Sequence, residues 1–559
     1  MKRITIDPIT RIEGHLRVDV EVEGGSVSNA WVSGQMWRGL EVILRGRDPR
    51  DAWVFAQRIC GVCTTVHAIA SIRSVEHALN VDVPVNAQHI RNIMIAQHSV
   101  QDHIVHFYHL CALDWVDVLS ALKADPKRTA QLAEAISDWP GNGEKQFKAV
   151  KDRFGNFASN GKLGIFSSGY WGHLAMKLPP EVNLLMVSHY LQALDYQRKG
   201  AQAVAILGGK NPHIQNLCVG GVATAVNADN MATLNTERLE YLRTLMEETR
   251  DFVHKVYYPD VLLLASAYQE WFKYGSGVRN YLAVPEFPQD SKSTTYDLSG
   301  GISLEGNVTA VRPIINHQDP FLIQKVTESV AHSWYEGLSS LHPWQGETKP
   351  QYTHFREDEK YSWCKAPRLD GRAFEVGPTA QVLAAYAAGK AEVRQATDIA
   401  LSKVGVKLHD LGSTMGRILA RSIRARVMAD LSLVYLDRLI NNLAKGDTVY
   451  ANPAEIPDGE FKGVGFHEAP RGTLSHWIVI RDRKIANYQA VVPSTWNASP
   501  RDDKGVAGPY EASLVGNPVA QPEKPLEVLR TLHSFDPCIA CAVHIFDPGG
   551  TELVKVKVL

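Results

Sequence analysis

Seven cysteines are spread through a chain of 559 residues, and four of them form two C-x-x-C pairs. RICGVCTTVH carries Cys60 and Cys63, and DPCIACAVH carries Cys538 and Cys541. Each pair alone reads as a dithiol redox couple or as half of a zinc site. A redox couple needs no second pair, and the halves of a zinc site usually close over tens of residues, whereas these stand near opposite ends of the chain. The arrangement predicts one four-thiolate site clamped between distant parts of the fold, suited to a thiophilic metal such as nickel, iron or zinc. On spacing alone, structural zinc is at least as well supported as a catalytic centre. Cys111, Cys218 and Cys364 are scattered, which argues against a disulfide framework and against an iron–sulfur cluster held by this chain.

Thiolates buried with a metal need cations or hydrogen-bond donors nearby. EAPRGTLSHW offers Arg471 behind Pro470, and PSTWN offers Ser494 in a turn opened by proline. By residue type alone these are a surface arginine and an ordinary turn serine. In HSVQDHIVHFYH, Asp102 has His98 and His106 one helical turn to either side, which suits a separate metal site as a lesser reading. Glu13 in RIEGH reads as a solvated carboxylate and His67 as a core histidine. AILGGKN lacks the glycine spacing of a phosphate loop.

Periodicity supplies the elements that must position these residues. HLRVDVEVEGGSVSNAWVSG alternates about Gly24-Gly25 and predicts a hairpin, so the chain begins with sheet. Apolar residues at three- and four-residue steps predict helices over about 87–123, 181–207, 237–256, 320–336, 380–403 and 413–445. Loops and short strands are expected over 257–375, and short strands from about 450, including HWIVI, YQAVVPS and the tail ELVKVKVL. The expected class is α+β, predominantly helical, in one multi-lobed domain. Its parts are a β-containing lobe at 1–84 with the first pair, a helical region at 85–256, a loop region at 257–375, and a helical and C-terminal lobe at 376–544 with the second pair.

With 59 Lys+Arg against 60 Asp+Glu the formal charge is −1, so no nucleic-acid partner is expected. No apolar run reaches the roughly 20 residues of a spanning helix, and the opening residues contain no signal-peptide core.

RICGVCTTVH and DPCIACAVH, together with RIEGH, RGLE, EAPRG and VVPSTWN, closely resemble the large subunit of nickel–iron hydrogenases, over essentially the whole chain. The resemblance is strongest to the respiratory, hydrogen-uptake branch associated with membranes. It implies that Cys60, Cys63, Cys538 and Cys541 bind nickel, with Cys63 and Cys541 bridging to an iron that carries carbonyl and cyanide ligands. It makes Arg471, Ser494 and Pro470 the wall around those ligands, and Asp102 and Asp536 a polar canopy paired with Arg471. Glu13 becomes the first proton relay beside Cys538, and His67 the histidine that hydrogen-bonds a bridging thiolate. Glu41, the carbonyl of Ala490 and His544 are implied to hold magnesium or another hard cation. The residues from Ile545 to Leu559 resemble an extension that an endopeptidase removes after His544 once nickel is inserted. A permanent edge strand is the alternative for that tail. The implied partners are an iron–sulfur small subunit in an obligate heterodimer, compatible with a dimer of heterodimers, membrane-bound electron-transfer subunits and nickel-insertion proteins. The implied location is the periplasmic side of the membrane, reached by export with the small subunit after folding in the cytoplasm.

Overall fold

The computed structural model describes residues 2–542 apart from 162, 167, 168, 338 and 339. Strands β1 (Lys2–Ile6), β2 (Leu16–Glu23) and β3 (Ser26–Gly34) form an antiparallel sheet in sequence order, with Ile4 opposite Val20 and Val18 opposite Val32. Alternation puts Leu16, Val18 and Val20 on the buried face, as the sequence predicts. That face shares its core with Leu529, Leu532, Phe535 and Ile539 from the far end of the chain.

Helix α1 (Val66–Leu79) starts three residues after Cys63 and ends at Asn80 in the left-handed conformation. Helix α2 (Val85–Val105) follows Pro84 and is buried on nearly all sides, its polar residues included, among them Arg91, Gln97, His98 and Asp102. α3 (Pro180–Gly208), α4 (Thr236–Phe252) and α5 (Thr414–Ala444) complete the helical core, α5 and α3 lying against α2. Strands β4 (Glu460–Ala469), β5 (Gly472–Arg481) and β6 (Lys484–Val491) form a second antiparallel sheet, with Val464 opposite Trp477 and Trp477 opposite Gln489. β4 packs on α1 so closely that a Cβ at Gly465 would lie 1.9 Å from the Ala70 carbonyl oxygen, so only glycine fits there. Two short helices, α6 (Pro493–Asn497) and α7 (Leu526–Ser534), lead into the second cysteine pair.

The class is therefore α+β with a predominantly helical core, as expected. Several boundaries differ. The helix expected over 87–123 stops being α-helical at Val105, widens into a π-turn at His106–Cys111 and tightens at Ala112–Asp114. The region 380–403 is two helices, Pro378–Ala387 and Ala391–Val404, broken where Gly389 takes φ +80°. The helix expected over 320–336 extends only over Pro320–Lys325. Val326–Ser329 then pairs as a strand with Ala366–Leu369, because a long-range partner offers that β-branched stretch a ladder. Helices Pro126–Ile136 and Glu144–Ser159, like α1, are absent from the periodicity reading. The tail expected as a strand lies outside the described residues. Among the described residues no helix is long and apolar enough to cross a membrane.

Candidate metal centre

Cys60 follows a tight turn at Gln57–Ile59 and takes an extended conformation, which lets the amides of Val62 and Cys63 point back at its sulfur at 3.3 and 3.2 Å. This local loop holds the first pair immediately before α1. The second pair is held by other parts of the chain. Glu13 receives the Ile539 amide on its backbone oxygen at 2.7 Å and donates its own amide to Pro537 at 3.2 Å, a short bridge between the two ends of the sequence. Its Oε2 accepts from the Ala540 amide at 3.0 Å, and Ser494 Oγ accepts from the Cys538 amide at 3.0 Å. Gly14 sits at φ +84°, and a Cβ there would lie 2.4 Å from the Ala540 nitrogen, so the approach requires glycine.

The four sulfurs converge. Cys538 and Cys541 lie 2.7 Å apart, Cys63 and Cys541 3.0 Å, Cys60 and Cys538 3.4 Å, and Cys63 and Cys538 3.9 Å. All four ligand atoms fall within 4.8 Å of one another, every one of the four residues is buried, and none forms a disulfide. Burial alone pushes each thiol up. Its neighbours' S–H groups and the charge of Arg471 nevertheless draw Cys60 well below its usual value, while burial keeps Cys538 and Cys541 well above theirs. A cation at the centre would release those protons, because a thiolate is the ligating form. A donor set of four soft sulfurs in dry surroundings fits a thiophilic metal and does not fit a hard cation.

Above the sulfurs, the two-residue turn Pro470-Arg471 between β4 and β5 places a buried guanidinium. Arg471 donates to Asp102 Oδ2 at 3.0 Å, to Asp536 Oδ1 at 2.9 Å and to the Asp536 carbonyl at 3.0 Å. Burial raises Asp102 to about 7, whereas Asp536, although buried, is held below the usual carboxylate range by Arg471. Asp102 Oδ1 and Asp536 Oδ2 have no partner among the described residues. Glu13 Oε2 lies 3.2 Å from Cys538 Sγ, and burial, reinforced by the Cys60 charge, raises its carboxyl to about 7.

The structure also shows where the other expected residues stand. His67 Nδ1 meets His476 Nε2 at 3.0 Å and its Nε2 has no partner; burial lowers it to about 4, so it is neutral. His106 turns Nε2 to the His533 carbonyl at 2.7 Å, and His98, Asp102 and His106 do not converge on one point as a metal site would need. Glu41 Oε1 accepts from the Ala490 amide at 2.9 Å, and Oε2 from Thr348 and, at 3.5 Å, from Lys365. Lys365 also faces Glu328 at 3.5 Å and Gln489 at 2.6 Å around a cavity of about 20 Å³ that reaches Cys541. On the described residues this second pocket has carboxylates already served by an ammonium. His544 and Ile545 lie outside the described residues.

Arg38, Lys365 and Glu328 were missed by the sequence reading. Arg38 donates to the carbonyls of Ile59 and Ala540, the latter at 2.9 Å, and so ties the two pairs together. Its only signal was its place in RGLE. Lys365 and Glu328 sit in a loop-rich stretch with no spacing to mark them.

Comparison with known proteins agrees with this geometry. A family model described as nickel-dependent hydrogenase matches residues 38–544, and a shorter one described as HoxL-like matches residues 3–33. The chain is 52% identical to the hydrogenase-2 large chain of Escherichia coli (strain K12), over 100% of both chains. It is 47% identical to the uptake hydrogenase large subunit of Rhizobium leguminosarum bv. viciae, over 100% of this chain and 97% of that one. Among solved structures it is similar to the Ni-Fe-Se hydrogenase from D. vulgaris Hildenborough in the reduced state, with TM-score 0.78 and 32% identity over 97% of this chain and 100% of that one. A chain with four convergent buried thiols and whole-length kinship of this kind belongs to the nickel-dependent hydrogenase family, as a large, catalytic subunit and hence an oxidoreductase acting on hydrogen.

Proposed function

We propose that this chain is the catalytic subunit of a respiratory, uptake-type nickel–iron hydrogenase that oxidises dihydrogen reversibly to two protons and two electrons. The convergence of four sulfurs from opposite ends of the chain carries this reading. Cys60, Cys63, Cys538 and Cys541 would hold nickel, with Cys63 and Cys541 shared with an iron bearing carbonyl and cyanide ligands. When bound, that pair of metals supplies the Lewis acidity and redox capacity for heterolytic cleavage.

The chain's own residues do the rest. The buried walls around the cysteines exclude water, and Arg471 and Ser494 offer donors to small anionic ligands. Glu13 Oε2 stands where it can take a proton from Cys538 Sγ, and a carboxyl near 7 can pass it on at neutral pH. Electrons need a partner, since Cys111, Cys218 and Cys364 are too few and too scattered for a cluster. That partner is an iron–sulfur small subunit, in turn docked to membrane-bound electron-transfer subunits on the periplasmic side. Glu41, Ala490 and His544 would hold magnesium, and cleavage between His544 and Ile545 would follow nickel insertion.

The test is elemental analysis of the mature protein with infrared spectra in the carbonyl and cyanide region. Nickel with iron and those bands are expected, and stoichiometric zinc without bands overturns the reading. Glu13→Gln should keep metals and bands while turnover falls by about 100-fold or more. Undiminished turnover would remove the relay.

A further inference from the structure

Arg471 reaches the canopy from the tip of the β4–β5 hairpin, and the ladder that pairs Ala469 with Gly472 fixes the shape of that tip but not where it lies. Its place is set from outside the hairpin. Gly472 has φ +124°, and a Cβ there would stand 2.4 Å from the Gly377 nitrogen, so the turn lies directly against the start of helix Pro378–Ala387. The strand Tyr281–Ala283, continued by Val284, packs on β5 as well.

A buried carboxyl, that of Glu468 on β4, collects donors from β5, from that strand's continuation and from that helix. Its Oε1 accepts from the Val284 amide at 2.8 Å and from the Thr473 hydroxyl, and its Oε2 accepts from the side-chain amide of Gln381. Gln381, on helix Pro378–Ala387, gives a second amide proton to the Ala469 carbonyl at 2.9 Å. The reversed amide would face that carbonyl with an oxygen, so the nitrogen belongs there. Ala469 and Thr473 stand two residues before and two residues after Arg471, so these bonds grip the turn on both sides.

Burial, with the charge of Glu286 beside it, raises the Glu468 carboxyl to about 8, and Arg424 is already committed to Glu286 through two bonds at 2.7 and 2.6 Å. At neutral pH Glu468 therefore holds its proton. Thr473 Oγ1 can accept that proton and turn its own to the Leu282 carbonyl at 3.3 Å. Neutrality matters three residues from Arg471, because the clamp then holds the turn without competing with Asp102 and Asp536 for the guanidinium. Both oxygens of Glu468 are engaged, and a buried polar network of that kind rigidifies what it joins.

We propose that Glu468 and Gln381 are positioning residues for the hydrogenase reaction: together they fix where the Pro470-Arg471 turn lies above the sulfurs, and hence where the Arg471 donors point. The inference rests on the reading that Arg471 donates to the small anionic ligands of the iron. Both residues act through the turn rather than on those ligands. A small displacement of the turn weakens the hydrogen bonds, since a donor out of line loses strength steeply.

The test compares metal content and infrared spectra of the mature complex with those of its variants. Gln381→Leu removes both amide donors at similar volume. It should keep nickel and iron, shift the cyanide bands in the same direction as Arg471→Lys, and lower turnover about 10-fold. With Arg471→Lys already present, adding Gln381→Leu should move the bands by less than about half as much as it does alone, because residues that act through one another are not additive. Bands unmoved by Gln381→Leu overturn the proposal, as does a fully additive shift. Should Gln381→Leu fail to assemble, Thr473→Val takes its place: a shift in the same direction supports the clamp and unmoved bands overturn it. Hydrogen exchange in the metal-free chain separates this inference from the reading beneath it. Exchange at the amides of Arg471, Gly472 and Thr473 should quicken at least about fivefold in Gln381→Leu. An unaltered complex without carbonyl or cyanide bands overturns the hydrogenase reading itself; quickened exchange then still supports the clamp on the turn, and unchanged exchange overturns it.

Discussion

The two cysteine pairs share a spacing but not a support. Cys60 and Cys63 are shaped by their own loop, whose amides turn onto the Cys60 sulfur, and α1 takes over almost at once. Cys538 and Cys541 depend on remote segments: the Glu13-Gly14 corner, Ser494, and Arg38 reaching the Ala540 carbonyl. The first half-site is locally encoded, whereas the second exists only when the N-terminal sheet and the C-terminal segment are already docked. That difference suggests an order, with the first pair formed early and the second closing over it.

The largest effect should come from the canopy that spans both halves. Arg471→Met leaves Asp102 and Asp536 buried without their shared cation, and a loss of about 3–5 kcal/mol is expected, read as a lower unfolding temperature and failure to retain metal. Stability matching the unaltered protein would show that the canopy is not part of what joins the halves.

A glycine in each half gives a sharper comparison. Gly14→Ala forces a Cβ to 2.4 Å from the Ala540 nitrogen at a strained positive φ and should cost about 2–4 kcal/mol. Gly61→Ala meets no atom within 4 Å and should stay within about 0.5 kcal/mol. In metal-free protein, thiol alkylation should speed up at Cys538 and Cys541 in the first variant and at no cysteine in the second. Equal rates in both would refute the asymmetry.

Acid should loosen the second half through α7. Asp114 is buried, which disfavours its charge, yet Arg11 and His533 hold it down to about 2. A carboxyl depressed from its usual value near 4 contributes stability that is complete above about pH 5 and disappears as pH falls toward 2. Thermal unfolding of Asp114→Asn should therefore lie below the unaltered protein at pH 5 and approach it as pH falls to 3. A difference that does not change with pH would sever this pair from the docking.

The hairpin at β2–β3 and helices α3 and α5 were legible because their apolar periods repeat over many residues and need no partner to be read. The helix expected over 320–336 failed because Val326–Ser329 is a strand only by virtue of Ala366–Leu369. Arg471 and Glu13 illustrate the same limit within the site. By type they belong on the surface, and only packing made one a buried triple donor and the other a carboxyl near 7.

The sequence by itself determined the ligand chemistry, since thiolate softness and the twin C-x-x-C spacing belong to the residues whatever the fold. It also determined that the cysteines left over are too few for an iron–sulfur cluster, on which the proposed electron-accepting partner rests. Tertiary structure decided which charges are dry, which carboxyls hold a proton near neutrality, and that Glu13, Gly14 and Arg38 build the second half-site. Desolvation and close backbone approach are properties of three-dimensional neighbours, and those neighbours lie hundreds of residues away along the chain.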